Sequence, residues 1–299
     1  MTASLIVLGS ANVDYTVVVD RHPQPGETLL GGDIVTGSGG KGANQALAAA
    51  RAVGLPVFLG AVGADPAGRA LLDVLGSGGV DVSNVSSIAD APTGVALITV
   101  AHDGENTIVV AAGANGRLDA ETIAARVAEL AGPGTVLLAQ LEVPLPAVEA
   151  AAAALARAGG RLVLNLSPSR PVPDALLALC DPLVVNESEA SDLAASPVDG
   201  PAAAAAAAAA LLERCRSVVI TLGGEGAVFA AREGGPGSSS GHRPAPHVEV
   251  VDTTGAGDAF VGALAAELAE GGGLESAVER GVAAGAAAVQ WVGAQPPRR

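Results

Sequence analysis

Short runs of Val, Leu and Ile alternate along this chain with alanine-rich stretches of helical length, and this alternation constrains the fold more than any other feature. The runs at Leu5–Leu8, Pro56–Val62, Val136–Ala139, Leu162–Leu164, Leu183–Val185 and Val218–Thr221 are apolar at successive positions rather than at every second one. Such strands need cover on both faces, as in a parallel sheet. The segments between them, at about Ala43–Val53, Ala67–Leu75, Ala120–Leu130, Pro146–Ala158 and Ala202–Arg214, read as the covering helices. Asp65-Pro66 marks a helix start, an N-cap acceptor followed by proline at the first helical position. The expectation is an α/β fold, a mostly parallel central sheet flanked by helices.

Two regions break the alternation. Tyr15–Asp20 with Leu29–Thr36, and Val95–Val100 with Thr107–Ala111 across the turn-rich AHDGEN, predict antiparallel strands in a small sheet standing off the main body. Glu233–Pro246, rich in Gly, Ser and Pro, reads as a hairpin loop.

Composition narrows the function. The 299 residues are 49% hydrophobic but only 2% aromatic, so packing rests on Ala, Val and Leu. A formal charge of −15 argues against nucleic acid and against an anionic membrane surface, since both call for excess Lys and Arg. No run supplies the roughly 18 apolar residues of a membrane span. MTASLIVLGSANVD lacks a basic leader and reads as a buried first strand, not a signal peptide. Cys180 and Cys215 form no CxxC pattern, which fits a reducing cytoplasm. His22, His102, His242 and His247 show no metal-ligand spacing and read as solvated loop residues.

Gly37, Gly39 and Gly42 spell GxGxxG, but they do not follow the first buried strand, and Asp65 comes late for the answering acid of a dinucleotide site. Nor is the run a Walker A loop, because Gly42 follows Lys41 where Ser or Thr is required. VVDTTGAGDAF, Val250–Phe260, is more informative. A buried strand, a glycine turn and a helix starting near Gly257 would gather free backbone N–H groups at a helix N-terminus, a nest suited to a transferring phosphoryl group. Asp258 at that end is a helix cap or a general base; the glycines and the preceding strand favour the base. Lys41 is the only lysine in the chain and sits within the glycine loop, which favours a specific role. Asp14 is read as a ligand contact at a strand's C-terminal end.

Taken in order, GSANVD, GSGGKGANQALAAAR, GAVGADPAG, TGVALITV, GENTIVVAAGAN, QLEVPL, NLSPSRP, VNESEA, VITLGGEGA, VDTTGAGDAF and GAQP resemble the ribokinase-like, PfkB-type carbohydrate kinases over nearly the whole chain. The resemblance implies a ribokinase-like three-layer α/β fold, one domain over residues 1–299, with lid strands at about 13–37 and 93–112 and a homodimer formed through the lid sheet. It implies ATP-dependent phosphorylation of D-ribose to ribose 5-phosphate in the cytoplasm. The alternatives are a kinase for 2-deoxyribose or a nucleoside, or a non-catalytic sugar or nucleotide sensor. Tyr15 as the one lid aromatic disfavours a nucleoside, and Arg21 and Lys41 as the only nearby cations disfavour a sugar phosphate.

The same resemblance assigns roles. Asn12 and Asp14 would hold sugar hydroxyls, Gly40, Lys41 and Asn44 would line the sugar pocket, and Glu142 would close it. Asn186, Thr221, Gly223 and Gly226 would hold ATP, with Gly257, and Glu189 would organise Mg²⁺. Gly255, Ala256 and Gly257 would form the anion hole, with Asp258 as the base at the sugar hydroxyl. A K⁺ ion would take backbone carbonyls from Asp252, Thr254, Ala288, Trp291 and Gly293, with Pro297 standing where Ser is common. Val282 stands where a polar residue near adenine is common, and the chain stops at Arg299, short of the further C-terminal helix of many relatives.

Overall fold

The computed structural model describes residues 4–52, 54–232 and 240–295. In chain order its elements begin β1 (Leu5–Leu8), β2 (Asn12–Val19), β3 (Val35–Gly39), α1 (Lys41–Ala50), β4 (Val57–Leu59), β5 (Ala61–Gly63), α2 (Pro66–Ser77), β6 (Ser86–Ile88), β7 (Gly94–Ala101) and β8 (Asn106–Ala111). They continue with α3 (Ala120–Leu130), β9 (Val136–Ala139), α4 (Leu145–Arg157), β10 (Arg161–Asn165), α5 (Asp174–Leu177), β11 (Cys180–Asn186), α6 (Glu187–Ala194) and α7 (Gly200–Leu211). The last are β12 (Ser217–Thr221), β13 (Ala227–Ala231), β14 (Ser240–Arg243), α8 (Ala256–Ala269) and α9 (Leu274–Ala288).

The main sheet has the order β14-β13-β12-β11-β10-β9-β1-β4. It is parallel from β4 to β12, with β13 and β14 added antiparallel at one edge. Strand β1 shows why three layers form. Successive side chains point to opposite faces, and Ile6 and Leu8 enter one core cluster while Leu5 and Val7 enter another. The first cluster is completed by α3, α4, α5, α6 and α7, the second by α1, α2, α8 and α9. With so few aromatics, helices must approach closely. At Gly262 of α8 an added Cβ would stand 2.5 Å from the Gln45 carbonyl of α1.

A second sheet, β3-β2-β7-β8, projects from this body. Its outer pairs are antiparallel, but β2 and β7 run parallel, because both leave the main body in the same direction. Both expected pairs are thus antiparallel, and the parallel join of β2 to β7 makes one sheet of them. The expected strand Leu29–Thr36 is mostly irregular; only Val35–Gly39 pairs, and the preceding stretch is tied to β2 by Gly32 N–H donating to Val18 O at 2.9 Å. Pro56–Val62 is two strands interrupted at Gly60, since β5 leaves the main sheet to pair with β6. Val53, the expected end of the first helix, lies outside the described residues, and that helix begins at Lys41. Within Glu233–Pro246, residues 233–239 lie outside the described residues, and Ser240–Arg243 is a strand, not loop. Before the TTGAG turn no strand forms: Val250 and Val251 are exposed, and α8 starts at Ala256.

Candidate active site

The loop after β1, the start of α1, the ends of β9 and β10 and the start of α8 meet beyond the C-terminal ends of the parallel strands, where sheets of this kind place ligands. Glycines allow the approach. Gly40, the residue before α1, has φ of 89°, and a Cβ on it would stand 2.9 Å from the Asn12 nitrogen. A Cβ on Gly42 would stand 2.6 Å from Gly9. Of the GxGxxG letters only Gly42 seats α1 against the loop after β1; a Cβ on Gly37 would meet nothing within 4 Å, and one on Gly39 would meet Asp14. At the helix start, Lys41 N–H donates to Glu142 Oε2 at 3.0 Å, and the Ser10 hydroxyl donates to the same oxygen at 2.5 Å.

Asp258 lies in the first turn of α8. Its Oδ2 accepts from Asn44 Nδ2 at 3.1 Å and its Oδ1 from Gln45 Nε2 at 2.9 Å. Burial pushes its carboxyl above the usual value; the Lys41 cation and the two amide bonds oppose that push, and the Glu142 charge adds to it. Asp14, in β2, is pushed up to about 6 by burial first, then by the charges of Glu142 and Asp258. Its Oδ1 is buried with no hydrogen-bond partner among the described residues. A carboxylate orphaned in this way is costly unless a ligand completes it.

Asn12 is buried, and its Oδ1 accepts from Asn115 Nδ2 at 2.8 Å. Asn115 also accepts from Ala11 N–H at 3.0 Å and donates to Ala11 O at 3.1 Å. With its oxygen committed in this way, Asn12 has its amide N–H groups to offer. Sequence reasoning did not single out Asn115; the GAN that closes its block was the available signal. Gln295 was also missed: its amide donates to Asn44 Oδ1 at 3.3 Å and to Ser38 O at 3.4 Å, drawing the C-terminal segment onto the site.

Next to this pocket is a cleft of about 490 Å³. Asn186, Thr221, Gly223, Gly226, Gly257 and Val282 all line it, along with Glu187, which the sequence reading passed over, and His247, which it took for a solvated loop residue. Its walls are mostly apolar, including Val248, Phe260 and Ala286. Gly257 faces this cleft, and the next residue is Asp258. The turn before it needs glycine: Gly255 has φ of 76°, and a Cβ on it would stand 2.5 Å from Ala294 Cα. Among the described residues, the N–H groups of Gly255, Gly257 and Asp258 have no protein acceptor, whereas Ala256 N–H turns back to Thr253 O at 3.2 Å. Two of the three expected anion-hole donors are thus open.

Glu189 is buried rather than an exposed helix residue. It closes a capping box, with Asn186 N–H donating to Glu189 Oε2 at 2.9 Å and Glu189 N–H donating to Asn186 Oδ1 at 2.8 Å. The Asp252 and Thr254 loop is stitched to the chain after α9. Val251 N–H donates to Val289 O at 2.7 Å, and Asp252 takes N–H bonds from Thr254 at 2.9 Å and Gly293 at 2.8 Å. Burial works against charge on Asp252, yet those two N–H groups hold its carboxyl below the usual range. Ala288 ends α9, and Trp291 lies in the same stitched segment with a buried indole N–H that has no partner among the described residues. Pro297 lies outside the described residues.

The remaining expectations fare unevenly. Asp65 caps α2 through Gly68 N–H at 2.7 Å, and it also accepts from the Thr93 N–H and hydroxyl. Both ring nitrogens of His22 are buried without partners among the described residues, and His242 lies in β14, so neither is a solvated loop residue. Cys180 and Cys215, distant in sequence, are both buried free thiols; Arg216 N–H bonds Cys180 O at 3.0 Å. Among the described residues, no group of three or more His, Cys, Asp or Glu is placed to hold a metal by itself, and no helix is long and apolar enough to cross a membrane.

The chain matches the family model described as pfkB family carbohydrate kinase over residues 2–299. It is 38% identical over 296 residues to a ribokinase of Haemophilus influenzae, covering 99% of this chain and 95% of that protein. A solved Arabidopsis thaliana ribokinase complexed with ribose and ATP superposes with a TM-score of 0.86 at 32% identity, over 98% of this chain and 95% of that one. Phosphofructokinase-2 of Escherichia coli in complex with potassium gives a TM-score of 0.79 at 26% identity, over 98% and 94% of the two chains.

Proposed function

We infer from the membership of this chain in the pfkB family of carbohydrate kinases, and from its site, that it transfers the γ-phosphoryl group of MgATP to D-ribose, giving ribose 5-phosphate. One observation carries the reading. Asp14, with a buried and unpartnered carboxylate oxygen, faces the same electrostatic cluster as Asp258, and Asp258 follows directly on Gly257 at the cleft. The base thus stands between a pocket built for hydroxyl donors and a cleft of nucleotide size.

In this reading Asp14 accepts hydroxyl hydrogen bonds from the sugar, Asn12 donates to it, and Asn44 and Lys41 line the pocket. Asp258 takes the proton of the attacking hydroxyl; a base raised by burial toward neutral pH suits that task. The open N–H groups of Gly255 and Gly257 and the α8 dipole stabilise the charge spread over the transferred group. Asn186, Thr221, Gly223 and Gly226 hold the nucleotide.

Mg²⁺ neutralises phosphate charge when bound. Mg²⁺ is usually held by one or two carboxylates together with phosphates and waters, and Glu189 beside the cleft residue Asn186 fits that role. K⁺ adds positive potential beside the anion hole when bound. The stitched loops bring the carbonyl-bearing segments of Asp252, Thr254, Ala288, Trp291 and Gly293 together, with the Asp252 charge at their junction, and so fit a monovalent cation. The small sheet acts as a lid over the sugar. Its exposed Val18, Leu97, Ile108, Val109 and Val110 suit pairing with a second copy of the chain. Buried free thiols at Cys180 and Cys215 accord with a cytoplasmic protein.

The test is ADP formation with MgATP against ribose, 2-deoxyribose, a nucleoside and fructose 6-phosphate. Ribose is expected to give the highest kcat/KM. A higher value for another acceptor would replace ribose with that acceptor, and ribose binding without turnover would make the chain a sensor.

A further inference from the structure

Asp258 is held by more than its neighbour in the sugar pocket. Gln45, fully buried in α1, donates from Nε2 to Asp258 Oδ1 at 2.9 Å and to Asn165 Oδ1 at 3.0 Å. Its own carbonyl accepts from Gln140 Nε2 at 2.6 Å. Asn165 Nδ2 in turn donates to Val184 O at 3.3 Å. An amide has two donors on one end and an acceptor on the other, so turning Gln45 over would set oxygen against oxygen at Asp258 and Asn165, and N–H against N–H at Gln140. The orientation of Gln45 is therefore fixed. Gln140 follows β9 directly, Asn165 ends β10, and a Cβ on Gly9 would overlap the Gln140 carbonyl. The frame is thus anchored in the centre of the main sheet.

We propose that Gln45 is a positioning residue of the kinase reaction: its amide fixes the Asp258 carboxylate for proton removal, and Gln140 and Asn165 fix Gln45. This rests on the kinase reading above. In the transfer the sugar oxygen forms the new bond to phosphorus, and the bond from phosphorus to the ADP oxygen breaks with its electron pair going to ADP. The hydroxyl proton goes to Asp258. Gln45 gains and loses nothing; it occupies one lone-pair direction of Oδ1 and leaves the others for the proton. The charged groups facing Asp258 are Lys41 from α1, which favours its ionised form, and Glu142 beyond β9 and Asp14 from β2, which disfavour it. Against that balance and burial, loss of the Gln45 donor makes the base harder to ionise.

The experiment compares wild type, Gln45→Met and Gln45→Glu, each checked by thermal melting. The readouts are kcat, the KM for ribose and for ATP, and the acid limb of kcat against pH. Methionine keeps the length and removes the donor. Gln45→Met is expected to lower kcat about 10- to 100-fold, since a misplacement of about 1 Å at the reacting groups can cost about 10²-fold, with both KM values within about threefold, and to move the acid limb up by about one pH unit. Gln45→Glu sets a second carboxylate against the first and should move the limb further. If Gln45→Met does not fold, Gln140→Met carries the test, with a smaller shift in the same direction expected. An unmoved acid limb in the folded variants, or a loss shared equally by ribose binding and kcat, overturns the proposal while the kinase reading stands. A wild-type protein that makes no ADP with ribose overturns both.

Discussion

Gly39 has no side chain where the carboxylate of Asp14 lies; a Cβ on Gly39 would overlap that carboxylate. The two residues are diagonal neighbours two positions out of register, since Asp14 pairs with Gly37 and Asn12 with Gly39 across β2 and β3. A glycine is thus required by a side chain on the neighbouring strand, not by its own backbone. Gly39→Ala should displace Asp14 and weaken ribose binding by about tenfold or more, the scale of losing one charge-assisted hydrogen bond, with ATP affinity kept. Calorimetric titration of each ligand checks this; equal ribose affinity would separate Asp14 from sugar binding.

Ribose affinity should depend on pH through Asp14. Its carboxyl, raised to about 6 by burial and by Glu142 and Asp258, must be ionised to accept two hydroxyl donors. Sugar donors favour that form, so binding releases a proton and affinity falls as pH drops through about 6. Because the folded value lies above the model-peptide value of 3.8, the unliganded protein gains stability from this group as pH falls through the same window. Asp14→Asn should flatten both dependences. A pH-independent ribose affinity in the wild type between pH 5 and 8 would contradict the assignment.

K⁺ should activate the reaction over Na⁺ or Li⁺ at constant ionic strength. Trp291 is the only tryptophan and lies in the segment tied to Asp252 through Gly293, so its fluorescence should titrate with K⁺. Asp252→Ala removes that tie and should weaken both responses. A flat rate on adding K⁺ to K⁺-free enzyme would show that the stitched loops hold no cation.

The sequence carried what is local. Leu5–Leu8 and Ala120–Leu130 are read to the residue, because one is wholly apolar and the other follows the capping residue Asp119. Strand β13 and helix α9 were not anticipated: Ala227–Ala231 is alanine-rich, as is much of the chain, and the stripe Leu274, Ala277, Val278, Gly281 and Val282 that α9 buries is built mostly of small residues and was passed over. The exposed Val250 and Val251 imitate a strand by composition alone. Within the site, the glycine blocks and Asp258 were legible through contiguous letters. The amide frame was not: Gln45 and Gln140 stand in two of the quoted blocks, but Gln45 meets Gln140 across 95 positions and Asp258 across 213, and nothing in the blocks says that they meet.

Asp258→Asn tests the central claim most directly. Asparagine keeps the size of the side chain and removes the base. With ribose and MgATP, kcat should fall by about 10²- to 10⁴-fold, the range for a positioned general base, while ribose binding measured by titration stays within about threefold. A variant that keeps more than half of the wild-type kcat would contradict the account, because the group placed between the sugar pocket and the nucleotide cleft would then take no part in the transfer.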